Sequence, residues 1–86
     1  MIIELPPIDP LQAALGQQLR RLRQARGLSA GELAAACDLR PSRLGMAEQG
    51  RTRLTSAELH ALTNALQVSL RLLMDRGADL SRLKPL

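Results

Sequence analysis

The apolar residues of this 86-residue chain recur at helical spacing along most of its length. Leu11, Leu15, Leu19 and Leu22 lie three or four residues apart, which puts them on one face of a helix. Asp9 and Pro10 precede them as an N-cap and a proline at the first helical position, and Gly27 stops the run. Ser29 and Glu32 are spaced as a capping box and open a second helix, with Leu33, Ala34 and Cys37 on its inner face. Asp38 falls where the chain must turn, and aspartate tolerates left-handed backbone better than most residues. Pro41 opens a third helix with Leu44 and Ala47 inward, ending at Gly50. Thr55 and Glu58 repeat the capping box ahead of Leu59, Leu62 and Leu66, a fourth helix.

Beyond Leu66 two patterns compete. Val68, Leu70 and Leu72 alternate with Ser69 and Arg71, as in a strand. Leu70, Leu73 and Met74 fit a helix capped by Ser69 equally well. The tail from Gly77 carries Pro85 and is expected to fray. At the other end Ile2, Ile3 and Leu5 read as a brief strand or an arm, for packing in preference to binding a partner, punctuated by Pro6 and Pro7. The organisation expected is therefore an arm over 1–8, a domain over 9–76 with a two-helix unit at 30–49, and a tail over 77–86. The fold class is all-α and compact, with five helices or four helices and a C-terminal strand.

Composition narrows this picture. There is no Phe, Tyr or Trp, so the core must be aliphatic, and a core this light favours dimerisation to add buried area. Cys37 is the single cysteine and reads as a small core residue; no metal-ligand spacing and no cofactor motif is present. His60, the only histidine, falls on the outer face of the fourth helix without a ligating or catalytic partner. With no clustered carboxylates and no phosphate-binding glycine loop, an enzyme is not expected. No signal peptide or membrane-length apolar run is evident, so a reducing cytoplasm is the expected location.

Charge is placed unevenly. Between Gly16 and Arg53 stand eight arginines, at 20, 21, 23, 26, 40, 43, 51 and 53, against Glu32, Asp38 and Glu48; this segment is +5 in a chain whose net charge is +4. A basic belt on a small helical domain suits a polyanionic partner, although it also suits a plain solvated face. The outward residues of the third helix are Pro41, Ser42, Arg43, Gly45 and Met46. In a helix-turn-helix the early turns of the second helix meet base edges in the major groove.

On these residues the chain resembles the Cro/CI-like, or xenobiotic-response-element type, helix-turn-helix regulators. The resemblance is carried by LRRLRQARGLSAGELA, DLRPSRLGMAEQG and TSAELHALTNALQVSL, roughly Leu15 to Leu72. It implies a lambda-repressor-like DNA-binding domain acting as a transcriptional regulator, a repressor, on double-stranded DNA. A homodimer would read a pseudo-palindrome. By position it implies an ion pair between Arg23 and Glu48, base reading by Pro41, Ser42, Arg43 and Met46, and phosphate contacts from Arg40, Gln49, Arg51 and Arg53. Leu66, Val68, Leu70 and Leu72 offer apolar area for the dimer. The strand-like VSLRLLM segment also resembles antitoxins of the HipB kind, which would add a toxin as protein partner. Ala30, Asp38, Arg40 and Ala47 depart from the family's usual Gln, Gly, Ser or Thr, and larger apolar residue. A module that has kept the fold for protein interaction and lost DNA binding is a third alternative.

Overall fold

A computed structural model of the chain describes residues 8–86; the arm residues Ile2, Ile3 and Leu5 lie outside them. Five helices follow in order: α1 Pro10–Ala25, α2 Ala30–Ala36, α3 Pro41–Glu48, α4 Ser56–Leu66 and α5 Leu70–Met74. Their starts follow local chemistry. The Asp9 carboxylate accepts the Leu11 amide at 2.9 Å, and Pro10 occupies the first turn. Ser29 with Glu32 and Thr55 with Glu58 form complete capping boxes. Asp38 takes the left-handed conformation between α2 and α3 at φ 56°, as its position suggests.

One aliphatic core joins all five helices. Leu19 and Leu22 of α1, Leu33 and Ala34 of α2, Leu44 and Ala47 of α3, Leu62 and Leu66 of α4, and Leu73 of α5 are buried together. α1 and α3 pack unusually closely. A Cβ placed on Gly16 would stand 2.2 Å from the Ala47 carbonyl oxygen and 2.6 Å from that of Glu48. Only glycine permits this approach of a helix backbone to the last turn of α3.

The segment after α4 is helical, and the described residues contain no strand. Gln67 turns the chain in the left-handed region at φ 54°, and the Ser69 hydroxyl accepts the Leu72 amide at 3.1 Å to start α5. A lone strand here would leave its backbone groups without partners in one chain, whereas a short helix satisfies its own. The strand-like reading of VSLRLLM, one of the features behind the antitoxin resemblance, is therefore not met, because the segment forms α5. Leu66 is fully buried in the chain's own core, so it has no surface to give to a dimer. Val68 and Leu72 are half-buried against that core, and Leu70 and Met74 are the exposed apolar residues of this end.

The tail is packed rather than frayed. Leu80 and Leu83 lie against the core, and the Leu86 amide donates to the Arg26 carbonyl at 2.8 Å. Arg26 explains why. Its guanidinium donates to the carbonyls of Leu66 at 2.8 Å, Gln67 at 2.8 Å and Lys84 at 3.1 Å, so it closes the C-terminal end of α4 and holds the tail at once. Gln18, buried in α1, does similar work for α5: its amide donates to the carbonyls of Leu72 at 3.2 Å and Asp75 at 3.0 Å. Among the described residues no helix is long and apolar enough to cross a membrane.

Alanine is the better helix former by ~1 kcal/mol, yet Gly16→Ala is expected to destabilise the protein, because overpacking a tight contact costs about 1–3 kcal/mol. Thermal unfolding followed by circular dichroism checks this. A raised melting temperature would contradict the close approach of α1 to α3.

Candidate nucleic-acid interface

The two-helix unit presents α3 on a fixed base. α2 packs behind it through Leu33 and Ala34, and Leu44 and Ala47 turn the inner face of α3 into the core. What remains outward is sparse. Pro41 and Ser42 are exposed, Met46 is half-buried, and the space around Gly45 is open. Arg40 is the N-cap residue of α3 and makes no side-chain cap bond, so the first amides of this helix keep their donors unused by a side chain. Arg40, Gln49 and Arg53 are exposed and Arg51 is half-buried. Arg51 donates through Nε to the Gln49 side-chain oxygen at 3.0 Å. Arg51 and Arg53 share a shallow hollow with Asp9, Gln12, Gly50 and Thr52, where α1 begins and α3 ends.

Two ion pairs hold α3, one at each end. At its C-terminal end Glu48 accepts two parallel bonds from Arg23, Nε to Oε2 at 2.8 Å and Nη2 to Oε1 at 3.1 Å. The third arm of Arg23 donates to the Leu28 carbonyl at 3.0 Å, which ties in the turn between α1 and α2. Both side chains are nearly closed off, at 13% and 10% exposure, so this pair is largely desolvated and its geometry is the bidentate one.

The second pair involves Arg43, whose guanidinium is turned sideways onto α4. It donates to Glu58 through Nε at 2.5 Å and Nη2 at 2.7 Å, to the Thr52 hydroxyl at 3.2 Å and to the Arg53 carbonyl at 3.3 Å. The same Glu58 Oε1 accepts the Thr55 amide at 2.8 Å in the capping box of α4. Hydrogen bonding from Arg43 first, then from the Thr55 backbone, holds the Glu58 carboxyl far below the usual range, at about 2. The Arg43 guanidinium is pushed up in turn by its bond to Glu58. The sequence marks Glu58 as a capping residue, but nothing local marks it as the partner of a side chain on another helix.

The remaining candidates are quiet. Burial pushes the Cys37 thiol up, away from the reactive thiolate. His60 is exposed on α4 beside Leu59, Thr63 and Leu70, which with Ser56 line an apolar hollow. Among the described residues no group of three His, Cys, Asp or Glu could hold a metal ion.

A two-helix unit with a short second helix facing out, braced by α1 and α4, defines a lambda-repressor-like helix-turn-helix domain. Residues 14–76 match the family described as Helix-turn-helix domain. The restriction-modification controller protein C.AhdI from Aeromonas hydrophila is 35% identical in a match covering 72% of this chain and 94% of that one, with a TM-score of 0.70. The clp gene regulator ClgR from Corynebacterium glutamicum is 33% identical over 81% of this chain and 74% of that one, with a TM-score of 0.76. SinR, a master regulator for biofilm formation solved in complex with DNA, is 29% identical over 71% of this chain and 98% of that one, at a TM-score of 0.66. Among curated proteins no match was found. The chain belongs to the helix-turn-helix domain family, in its Cro/CI-like, xenobiotic-response-element type, a class of DNA-binding transcription regulators.

The two ion pairs can be tested separately. Arg23→Ala leaves Glu48 largely buried without its partner, and denaturant unfolding should show a loss of roughly 2–4 kcal/mol, somewhat below the value for a wholly buried pair. A change within the error of the fit would mean that Glu48 finds water instead. For Glu58 the folded carboxyl sits at about 2 against an ordinary 4.5. Its contribution to stability is therefore complete above the ordinary value and is lost as pH falls toward 2. Acid unfolding of Glu58→Gln should lack this part of the wild-type loss; parallel curves for the two proteins would contradict it.

Proposed function

We propose that this chain is a sequence-specific repressor that binds double-stranded DNA as a homodimer, with α3 in the major groove of each half of a pseudo-palindromic operator. The observation that carries this is the open outer face of α3, with Pro41 and Ser42 exposed, Met46 half-buried beside them, and exposed arginines at 40 and 53 on either side. Such a face admits base edges in the middle and phosphates at the rim. Ser42 would hydrogen-bond a base edge, Met46 would contact a thymine methyl, and Pro41 would add apolar contact. Arg40, Gln49, Arg51 and Arg53 would contact phosphates. The family relationship and the DNA-bound state of SinR support the same reading.

The dimer surface would use the exposed apolar residues at the outer end of the domain. Leu70 and Met74 of α5 are 51% and 54% exposed, and Leu59 and Thr63 of α4 adjoin Leu70 in the apolar hollow. A twofold axis through this end would set two copies of α3 about one helical turn of DNA apart. The protein would act in the cytoplasm, on the nucleoid.

Selection of bound DNA from a random pool tests the reading, and a recovered palindrome is the expected result. No enrichment at any salt concentration would refute it and leave a protein-interaction module. Two variants then separate the roles. Ser42→Ala should alter preference at one position per half-site. Arg53→Ala should weaken binding to all sequences alike and lower the slope of log affinity against log salt by about one per site lost.

A further inference from the structure

We infer that Arg43 is a positioning residue, which sets the angle of the recognition helix through Glu58 and leaves base reading to its neighbours. The inference rests on the DNA-binding reading and deepens it.

α3 is poorly equipped at its own start. It has eight residues, no side-chain cap bond and no acidic residue in its first turn. Arg40 and Arg43 stand at its positive end, where the helix dipole opposes a cation. Arg43 therefore gains nothing from the dipole of the helix it stands on. Glu58 is the reverse case. It lies in the first turn of α4, where the dipole favours a carboxylate, and Thr55 fixes its orientation from the backbone. An anion fixed by one helix thus meets a cation that its own helix repels. The fork of Arg43 lies flat on this carboxylate, and two of its three remaining N–H groups go to the Thr52 hydroxyl and the Arg53 carbonyl.

All four contacts lie on the loop and helix that follow α3. They join its N-terminal turn to the start of α4 and to the backbone at Arg53. To read guanine, Arg43 would have to leave a bidentate partner and two further acceptors together, and α3 would lose its only side-chain tether near its N-terminal end among the described residues. With the tether in place, Pro41 and Ser42 are held at one angle, and Arg53, a candidate phosphate contact, is held in register with them.

Base preference across the half-site distinguishes the alternatives. The full-length wild type and the variants Arg43→Ala, Glu58→Gln, Thr52→Val and the double Arg43→Ala/Glu58→Gln are each presented with a random DNA pool. All are assayed at a temperature where circular dichroism shows them folded. Glu58→Gln keeps an oxygen for the Thr55 amide, so the start of α4 survives. Positioning predicts that Arg43→Ala and Glu58→Gln blur preference at the same several base pairs and each lose about tenfold in affinity, with the double variant no worse than either single one. Thr52→Val should blur the same positions more weakly. Should Arg43→Ala fail to fold, Glu58→Gln and Thr52→Val carry the same test. Loss of preference at a single base pair in Arg43→Ala, with Glu58→Gln unchanged or sharper, would make Arg43 a base reader and overturn the inference. Wild-type affinity and preference in Glu58→Gln and Thr52→Val would overturn it as well. Failure of the wild type itself to select any sequence would instead refute the DNA-binding reading, and the inference with it.

Discussion

The third helix cannot hold itself, and the arrangement of the rest of the domain follows from that. An eight-residue helix is too short to be stable alone, and α3 begins without a side-chain cap and with two arginines at its positive end. Its stability comes from tertiary contact. Leu44 and Ala47 supply the buried face. The close approach of Gly16 brings the backbone of α1 against the last turn, and Arg23 binds Glu48 across the same junction. These contacts fix the C-terminal end firmly against α1. Leverage then matters at the other end, because a small rotation about the fixed end moves Pro41 and Ser42 the most. Arg43 and Glu58 act where that movement would be largest.

The same division of labour leaves the outer face chemically plain. Residues held by the core cannot also reach outward, and Arg43 is taken up by Glu58. What is left for a partner is a proline, a serine, an open glycine and a half-buried methionine. Such a surface carries few hydrogen-bonding groups, so discrimination by it would depend on placement more than on the number of contacts. Apolar contact with a base is sensitive to distance, and a serine hydroxyl accepts several bases unless its approach is constrained. A rigid helix therefore matters more to this sequence than to one with glutamines or asparagines at the same positions.

How much of this was legible in the sequence depended on the range of each interaction. The helix starts were readable because their chemistry is local: Asp9 with Leu11, Ser29 with Glu32 and Thr55 with Glu58 are two or three residues apart. The buried leucines were readable from periodicity. The turn at Asp38 was readable from residue type, whereas the equivalent left-handed turn at Gln67 was not, since glutamine carries no such preference. Gly16 offered a weak signal, a glycine inside a helical pattern, which commonly marks close packing. The partnership of Arg43 with Glu58 and the closing of α4 by Arg26 join residues 15 and 40 positions apart, and nothing in the intervening sequence announces them. The ambiguity of residues 68–74 was likewise settled by distant partners, through Gln18 and the packing of Leu73.

Folding also changes the meaning of the arginine-rich middle. Counted along the chain, it offers eight cations to a polyanion. In the fold, Arg23 and Arg43 are neutralised by glutamates, and Arg26 directs its donors to the end of α4 and the tail. Arg21 is turned toward the Gln18 side chain and the Arg76 carbonyl, at the end of the domain where α1 meets α5. The charge that borders α3 thus comes from Arg40, Arg51 and Arg53, with Arg20 of α1 in one hollow with Glu48 and Gln49 at its C-terminal end. A net charge says how strongly a domain is drawn to phosphate, but only the arginines left outward decide where the phosphate would lie. Arg40 lies at the start of α3 and Arg51 and Arg53 in the loop after it, so these arginines would bracket the outward residues between two points of electrostatic attachment. Arg23 and Arg43 would act one step removed, by keeping those two points a fixed distance apart.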